Sequence, residues 1–309
     1  MIEVEGLHKS FGTLRAVDGL SFRVGEGEIF GLLGPNGAGK TTTINMLCGV
    51  LRPDAGHVRL AGHDVWAEPL AAKRLLGVVP QEIALYEDLT ARDNLSFWGS
   101  LYGLGGKELK TRVNEALARV GLAERAGHKV ATFSGGMKRR LNLCMGLLPR
   151  PRVLLLDEPT AGIDPQARLG ILDLVRDVAR AGATVLYTTH YMDEAEELCD
   201  RIAIIDHGRI LTTGTIEELS RLAGEGEVIR LNGSFAAAAV RDRLASVPGA
   251  RVLGMDETSA VLVAEPDGGG LLAVLPRLLA ADLGIEAVSI QRPSLQSVFI
   301  RLTGRELRD

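Results

Sequence analysis

Short, unbroken apolar runs alternate with helical spacing through the first two thirds of the chain. Glu28-Ile29-Phe30-Gly31-Leu32-Leu33 is one run and Val153-Leu154-Leu155-Leu156 a second. Thr184-Val185-Leu186-Tyr187-Thr188 and Arg201-Ile202-Ala203-Ile204-Ile205 are two more. Short apolar runs without polar alternation predict strands buried on both faces, as in a parallel sheet covered by helices. Thr42 to Leu51 has helical character. Asp164-Pro165 opens a helix to about Arg180, with proline in the first turn, where no N–H is needed. Between Thr90 and Arg150 the pattern turns mostly helical, which predicts a helical subdomain, about 86–150, inserted in an α/β domain.

A break falls near Gly224-Glu225-Gly226. Beyond it the pattern predicts strand Val228–Leu231, helix Phe235–Ala245, and strands Arg251–Met255 and Ser259–Val263. Helix Leu271–Ala281, strand Glu286–Ile290 and a helix from Ser294 to Leu302 follow. The order β-α-β-β-α-β is that of a ferredoxin-like domain. The expected organisation is therefore an α/β domain over 1–220 and a small α+β domain over 227–309.

The length of 309 residues fits two domains. With 46% apolar and 24% charged residues, the composition excludes a disordered or collagen-like chain. Lys plus Arg number 35 against 39 Asp plus Glu, so a general nucleic-acid coat is excluded and no direct nucleic-acid partner is expected. The longest stretch free of charge, Asn94 to Gly106, has 13 residues and four glycines. A membrane span needs about 20 apolar residues, so none is expected. The opening Met1-Ile2-Glu3-Val4-Glu5 is not expected to be a signal peptide. Cys48, Cys144 and Cys199 are widely spaced and odd in number. They read as buried small side chains of a cytosolic protein, not as a disulfide or zinc framework.

The chemistry concentrates in Gly34-Pro35-Asn36-Gly37-Ala38-Gly39-Lys40-Thr41, which fits G-x-x-x-x-G-K-[ST] and sits between a predicted strand and a helix containing Thr42. Glycines let successive N–H groups turn inward around phosphate oxygens, and the helix adds its positive end. Lys40 supplies charge to the β- and γ-phosphates, and Thr41 a hydroxyl for Mg²⁺. Leu154-Leu155-Leu156-Asp157-Glu158 ends a second strand in two acids: Asp157 to hold Mg²⁺, and Glu158 to accept a proton from the attacking water or orient it.

Phe133-Ser134-Gly135-Gly136-Met137-Lys138-Arg139-Arg140 resembles the signature sequence of ABC-type ATPases. Val79-Pro80-Gln81 looks like the glutamine loop, Ala161-Gly162-Ile163-Asp164 the D-loop and Thr188-Thr189-His190 the switch-histidine segment. The resemblance covers roughly residues 2 to 220. It implies that Phe11 stacks on adenine, that Gln81 senses Mg²⁺ and the γ-phosphate, and that His190 is a catalytic residue, the switch histidine. One departure is Met137, where the family usually has glutamine; that glutamine's role is not carried over. The tail Arg292–Leu307 resembles the end of daunorubicin-resistance-type exporter ATPases.

The resemblance implies two subunits, expected as a homodimer paired head to tail. Each ATP would lie between one phosphate loop and the Ser134-Gly135-Gly136 segment of the other chain, with Asp164 at the same junction. It also implies separate membrane-spanning permease subunits, docked near Tyr86, Glu87 and Leu89, on the inner face of the plasma membrane. The expected function is an ATPase that powers export. The alternatives are a non-transport ABC ATPase acting on ribosomes or nucleic acid, and an importer ATPase. One phosphate loop and no long insertion weigh against the first; the tail weighs against the second. The transported substrate is not legible, because its pocket belongs to another chain.

Overall fold

The computed structural model describes residues 1–223, 226–235, 238–280, 283–291 and 294–303. Gly224 and Glu225 of the expected break lie outside the described residues, as do Ala236 and Ala237, Ala281, and Arg292, Pro293 and 304–307 of the tail. Internal packing divides the chain into two units, Met1–Ile210 and Leu211–Asp309, so the division falls at 210 rather than at 220.

The first unit opens with an antiparallel pair, β1 (Ile2–Phe11) and β2 (Leu14–Val24). Next comes β3 (Ile29–Leu33), buried at every position, and α1 (Lys40–Leu47). β4 (Ala55–Leu60) and β5 (His63–Asp64) return to the first sheet, whose order is β2-β1-β4-β5. That sheet was not legible beforehand. Register shifts at three places along β1 and β2 blur the period-2 alternation that announces a strand. α2 (Pro69–Lys73) leads into β6 (Leu76–Val79).

The helical insertion consists of α3 (Ala91–Leu101), α4 (Gly106–Arg119) and α5 (Gly135–Leu147). Thr90 caps α3 by accepting from Asp93 N, and Ser134 caps α5 by accepting from Met137 N. The chain then alternates β7 (Val153–Asp157), α6 (Pro165–Arg180), β8 (Thr184–Thr189), α7 (Met192–Leu198) and β9 (Arg201–Asp206). Strands β9, β3, β8, β7 and β6 lie side by side in that order, and every pairing among them is parallel. The four apolar runs are thus buried parallel strands, as their lack of alternation predicts.

One core joins the two sheets of this unit. Leu7, Leu20 and Phe22 from the first sheet meet Phe30, Leu155 and Ala203 from the second, with Ile44 of α1 among them. The Phe22 and Phe30 rings stack with centroids 5.3 Å apart. Helix α1 begins two residues before the expected Thr42 and ends at Leu47, not Leu51. Gly49 takes φ +69, and the N–H groups of Val50 and Leu51 both return to Asn45 O, which closes the helix in a left-handed cap. Cys48, Cys144 and Cys199 are free and buried, and burial pushes the Cys144 thiol up to about 12.

β10 (Arg209–Gly214) carries the chain across the division to α8 (Ile216–Ala223). The second unit then runs β11 (Val228–Gly233), α9 (Ala238–Ala245), β12 (Ala250–Met255), β13 (Ser259–Ala264), α10 (Gly270–Ala280), β14 (Ile285–Gln291) and α11 (Leu295–Thr303). The sheet order β12-β13-β11-β14, antiparallel throughout, is the ferredoxin-like arrangement. Ile229 and Leu231 pack with Leu244, Val274 and Leu278 of the two crossover helices. Val228, Val261 and Val263 turn to the other face, where Ile300 of α11 covers them. Phe235, expected at a helix start, precedes α9 and is buried in this core instead, its N–H bonded to Glu257 O.

Candidate active site

In a parallel sheet all strands end at one edge, and ligands bind in the crevice there. The loops that leave β3, β6, β7 and β8 from that edge begin at Gly34, Pro80, Glu158 and His190. Topology alone therefore gathers four segments that are scattered along the sequence.

The loop after β3 is held by its glycines. A Cβ at Gly34 would stand 2.2 Å from Ile205 O, and one at Gly39 2.4 Å from Ala16 O, where φ is also +103. Neither position admits another residue without moving backbone. Gly34 N donates to Thr189 O at 3.2 Å, and Ala38 N to Pro35 O at 3.1 Å. No side chain caps α1, so the donors of its first turn, from Lys40 to Thr42, are left at the positive end of the helix. Asn36 and Gly37 form the exposed tip.

Lys40 is buried, with Nζ 2.7 Å from Gly34 O, 3.0 Å from Pro35 O and 2.9 Å from Glu158 Oε1. The other carboxylate oxygen of Glu158 accepts from Gln81 Nε2 at 3.2 Å and lies 3.0 Å from His190 Nδ1. One buried carboxylate thus meets a lysine, an amide and an imidazole. Its backbone is left-handed, φ +44, held by Glu158 N donating to Thr188 O and Thr188 Oγ1. A non-glycine residue in that region is rare and marks a constrained position.

Asp157 is equally buried, and burial raises its pKa above the ordinary carboxylate value. The hydroxyls of Thr188, at 2.7 Å, and Thr41 oppose that shift by bonding the ionised form. Asp157, Thr41 and the Gln81 amide offer hard oxygen atoms, the donor type Mg²⁺ takes. The Thr41 hydroxyl is near enough to Asp157 to ease its burial shift, which places two of them together. These residues fit Mg²⁺, which uses few protein ligands and fills its other positions with water and phosphate.

The remaining candidates lie elsewhere in the chain. Ser134, Gly135 and Gly136 open α5 beside the start of α6: a Cβ on Gly136 would come 3.1 Å from Ala167 Cβ and 3.7 Å from Asp164 Oδ1. Asp164 caps α6 by accepting from Ala167 N at 2.9 Å. Phe11 stands at the exposed end of β1, with Lys9 Nζ 5.8 Å from its ring centre. Among the described residues, no hydrogen bond or ion pair joins Ser134–Gly136 to Lys40, Asp157 or Glu158.

Two residues carry the site without having been assigned a role. Arg139 is buried, and its guanidinium donates to Gln81 O and, at 2.8 Å, to Ala161 O, tying the glutamine loop to the turn after Glu158. Burial lowers its pKa, while the Glu158 charge opposes the shift. Its signal was an arginine two positions ahead of the buried run Leu141–Gly146. Thr188 bonds both Asp157 and Glu158, and only its place beside His190 hinted at that.

A family model described as ABC transporter matches residues 17–161. The chain is 44% identical to the linearmycin resistance ATP-binding protein LnrL of Bacillus subtilis, over 100% of both chains. It is 41% identical to the daunorubicin resistance ATP-binding protein DrrA3 of Streptomyces coeruleorubidus, over 99% of this chain and 97% of that one. Among solved structures, a dimeric ATP-binding cassette in a post-hydrolysis state, bound to ADP and Pi, matches with TM-score 0.64 and 25% identity, over 70% of this chain and 98% of that one.

Proposed function

The chain belongs to the ABC transporter family, alongside the linearmycin- and daunorubicin-resistance ATP-binding proteins, and from that premise we propose that its ATP hydrolysis powers export through a separate membrane-spanning partner. The observation that carries this reading is the convergence of Lys40, Gln81 and His190 on Glu158. These are the groups an in-line attack of water on a γ-phosphate requires: a cation for the phosphate, a carboxylate for the water, and partners that fix that carboxylate.

Lys40 bonds two carbonyls of its own loop and Glu158. Phosphate oxygens at the loop would replace those partners, and Glu158 would then be free to take a water. Its left-handed backbone and the Thr188 bonds keep the carboxylate aimed while that exchange occurs. His190 and Gln81 restrain Glu158 from the opposite oxygen. Thr41, Asp157 and Gln81 would hold Mg²⁺. The ion, when bound, neutralises charge that builds on the phosphate oxygens.

Ser134–Gly136 would face the nucleotide of a second copy, with Asp164 at the same junction and Phe11 stacking on adenine. The side-by-side placement of Gly136 and Asp164, at the starts of α5 and α6, supports this junction. The family likeness to a dimeric cassette supports it further. For the permease, the exposed Ile83, Tyr86, Leu89 and Phe97 offer an apolar surface. Glu87, within it, pairs with Lys138 on α5, which links that surface to the signature helix. No helix among the described residues is long and apolar enough to cross a membrane. The likeness to ATP-binding resistance proteins supports a place on the inner face of the plasma membrane, through the partner.

Relatives named for drug resistance favour transport over the ribosome or nucleic-acid alternative. Residues 227–309 would serve regulation or assembly. Copurification of a membrane protein, against copurification of ribosomes, tests the transport reading.

A further inference from the structure

Behind His190 lies a buried polar cluster that phosphate chemistry does not use. Glu194, on α7, is 1% exposed. Its Oε2 accepts from Tyr187 Oη and from Thr189 Oγ1, both at 2.9 Å. Thr189 Oγ1 in turn accepts from Tyr191 N at 2.9 Å. The two backbone neighbours of His190 are therefore both fixed through Glu194, one directly and one through a hydroxyl. Thr189 O also receives Gly34 N, so the same residue anchors the phosphate loop.

The cluster reaches the segment after Glu158 as well. Tyr187 Oη lies 3.4 Å from Thr160 Oγ1. Among the described residues Glu194 Oε1 has no hydrogen-bond partner, and Arg168 Nε, on the helix that Asp164 caps, stands 3.9 Å away. The Arg168 guanidinium lies 6.0 Å from the Tyr191 ring centre, and that ring packs 4.1 Å from the His190 ring. Arg168 is the cation placed to balance the buried Glu194 carboxylate.

We propose that Glu194 is a positioning residue for hydrolysis, setting His190 against Glu158 through Thr189 and biased by Arg168 at the start of α6. It touches neither nucleotide nor water. It holds the turn from which His190 reaches Glu158, and through Arg168 it registers the position of the helix that follows Asp164. This inference rests on the reading of the chain as an ATPase.

The test uses the full chain and three substitutions. Glu194→Ala removes both bonds; Thr189→Val removes the link to the turn while keeping side-chain shape. Glu194→Gln keeps an oxygen that accepts both hydroxyls. Misplacing a catalytic group by about 1 Å costs up to ~10²-fold, so kcat should fall roughly 10- to 100-fold in Glu194→Ala and Thr189→Val. Nucleotide affinity should stay that of the parent in both, and Glu194→Gln should restore turnover. The ring resonance of His190, assigned by comparison with His190→Ala, should move in the first two variants and stay in the third. Parent-like kcat in Thr189→Val, or a fall in kcat with an unmoved His190 resonance, overturns the proposal. Should Glu194→Ala fail to fold, Thr189→Val alone decides. A parent chain that does not hydrolyse ATP would instead overturn the underlying reading.

Discussion

Lys40 Nζ and Glu158 Oε1 lie 2.9 Å apart, and the two side chains are 4% and 5% exposed. Two motifs separated by more than a hundred residues thus share one buried ion pair. Buried pairs gain little over apolar packing, but removing one partner strands the other charge, at a cost of about 3–5 kcal/mol.

Lys40→Ala should therefore do two things. It should lower ATP affinity, and it should lower the melting temperature of the nucleotide-free chain. Adding Glu158→Gln should recover much of the melting temperature and none of the affinity. Thermal unfolding and direct nucleotide binding on the two variants measure both. An Ala variant with the parent's stability would show that the pair is not buried as described.

Asp157 gives a pH prediction. Burial raises its folded-state pKa above the unfolded value, so this group favours the folded state at low pH, below the unfolded pKa. That contribution is lost as pH rises through the folded pKa. At neutral pH the charge is a burden that metal binding justifies. Asp157→Asn, which still accepts from Thr188 and Thr41, should raise the nucleotide-free melting temperature at pH 7 and abolish hydrolysis. The gain should shrink as pH is lowered towards 4. A melting temperature that falls at pH 7 would contradict the burial argument.

The signature segment offers a substitution that reports on the partner alone. Nothing lies within 4 Å of a Cβ on Gly135, whereas Gly136 abuts Ala167. Gly135→Asp should leave stability within about 0.5 kcal/mol of the parent, as surface changes do, and leave nucleotide binding intact. It should block ATP-dependent pairing by placing a carboxylate where a second copy's phosphate approaches. Mixing it with Lys40→Ala should restore some ATPase activity, because one of the two shared sites would carry neither defect. ATP-dependent dimers of Gly135→Asp as abundant as the parent's would contradict the shared site.

Truncation after Gly224 should keep nucleotide binding, since Lys40, Asp157, Glu158 and His190 all lie in the first unit. It should weaken assembly with the membrane partner. It also strips α11 from α8, where Arg301 bonds Leu222 O, so some loss of solubility is expected. Normal assembly and export would assign residues 227–309 a passive role.

The parallel strands were legible because burial on both faces leaves an apolar run that needs no periodicity. The phosphate loop and Asp157–Glu158 were legible because their chemistry dictates spacing within a few residues. The first sheet was not, since bulges in β1 and β2 break the alternation. Arg139 and Glu194 were not, because a buried charge looks like a surface charge until its partners are known. Those partners sit on other segments: Gln81 and Ala161, in the loops after β6 and β7, for Arg139, and Tyr187 and Thr189, on β8, for Glu194. Ser134, by contrast, has its capping partner only three residues away, within the reach of a local sequence pattern.

The central claim is that Glu158 orients the attacking water. The most direct measurement is ATP turnover of purified Glu158→Gln together with its mass in solution under ATP and Mg²⁺. Loss of proton-transfer assistance should cut turnover by roughly 10²–10⁴-fold, with binding retained and an ATP-bound dimer accumulating. Turnover near the parent's in a contaminant-free preparation would contradict the account.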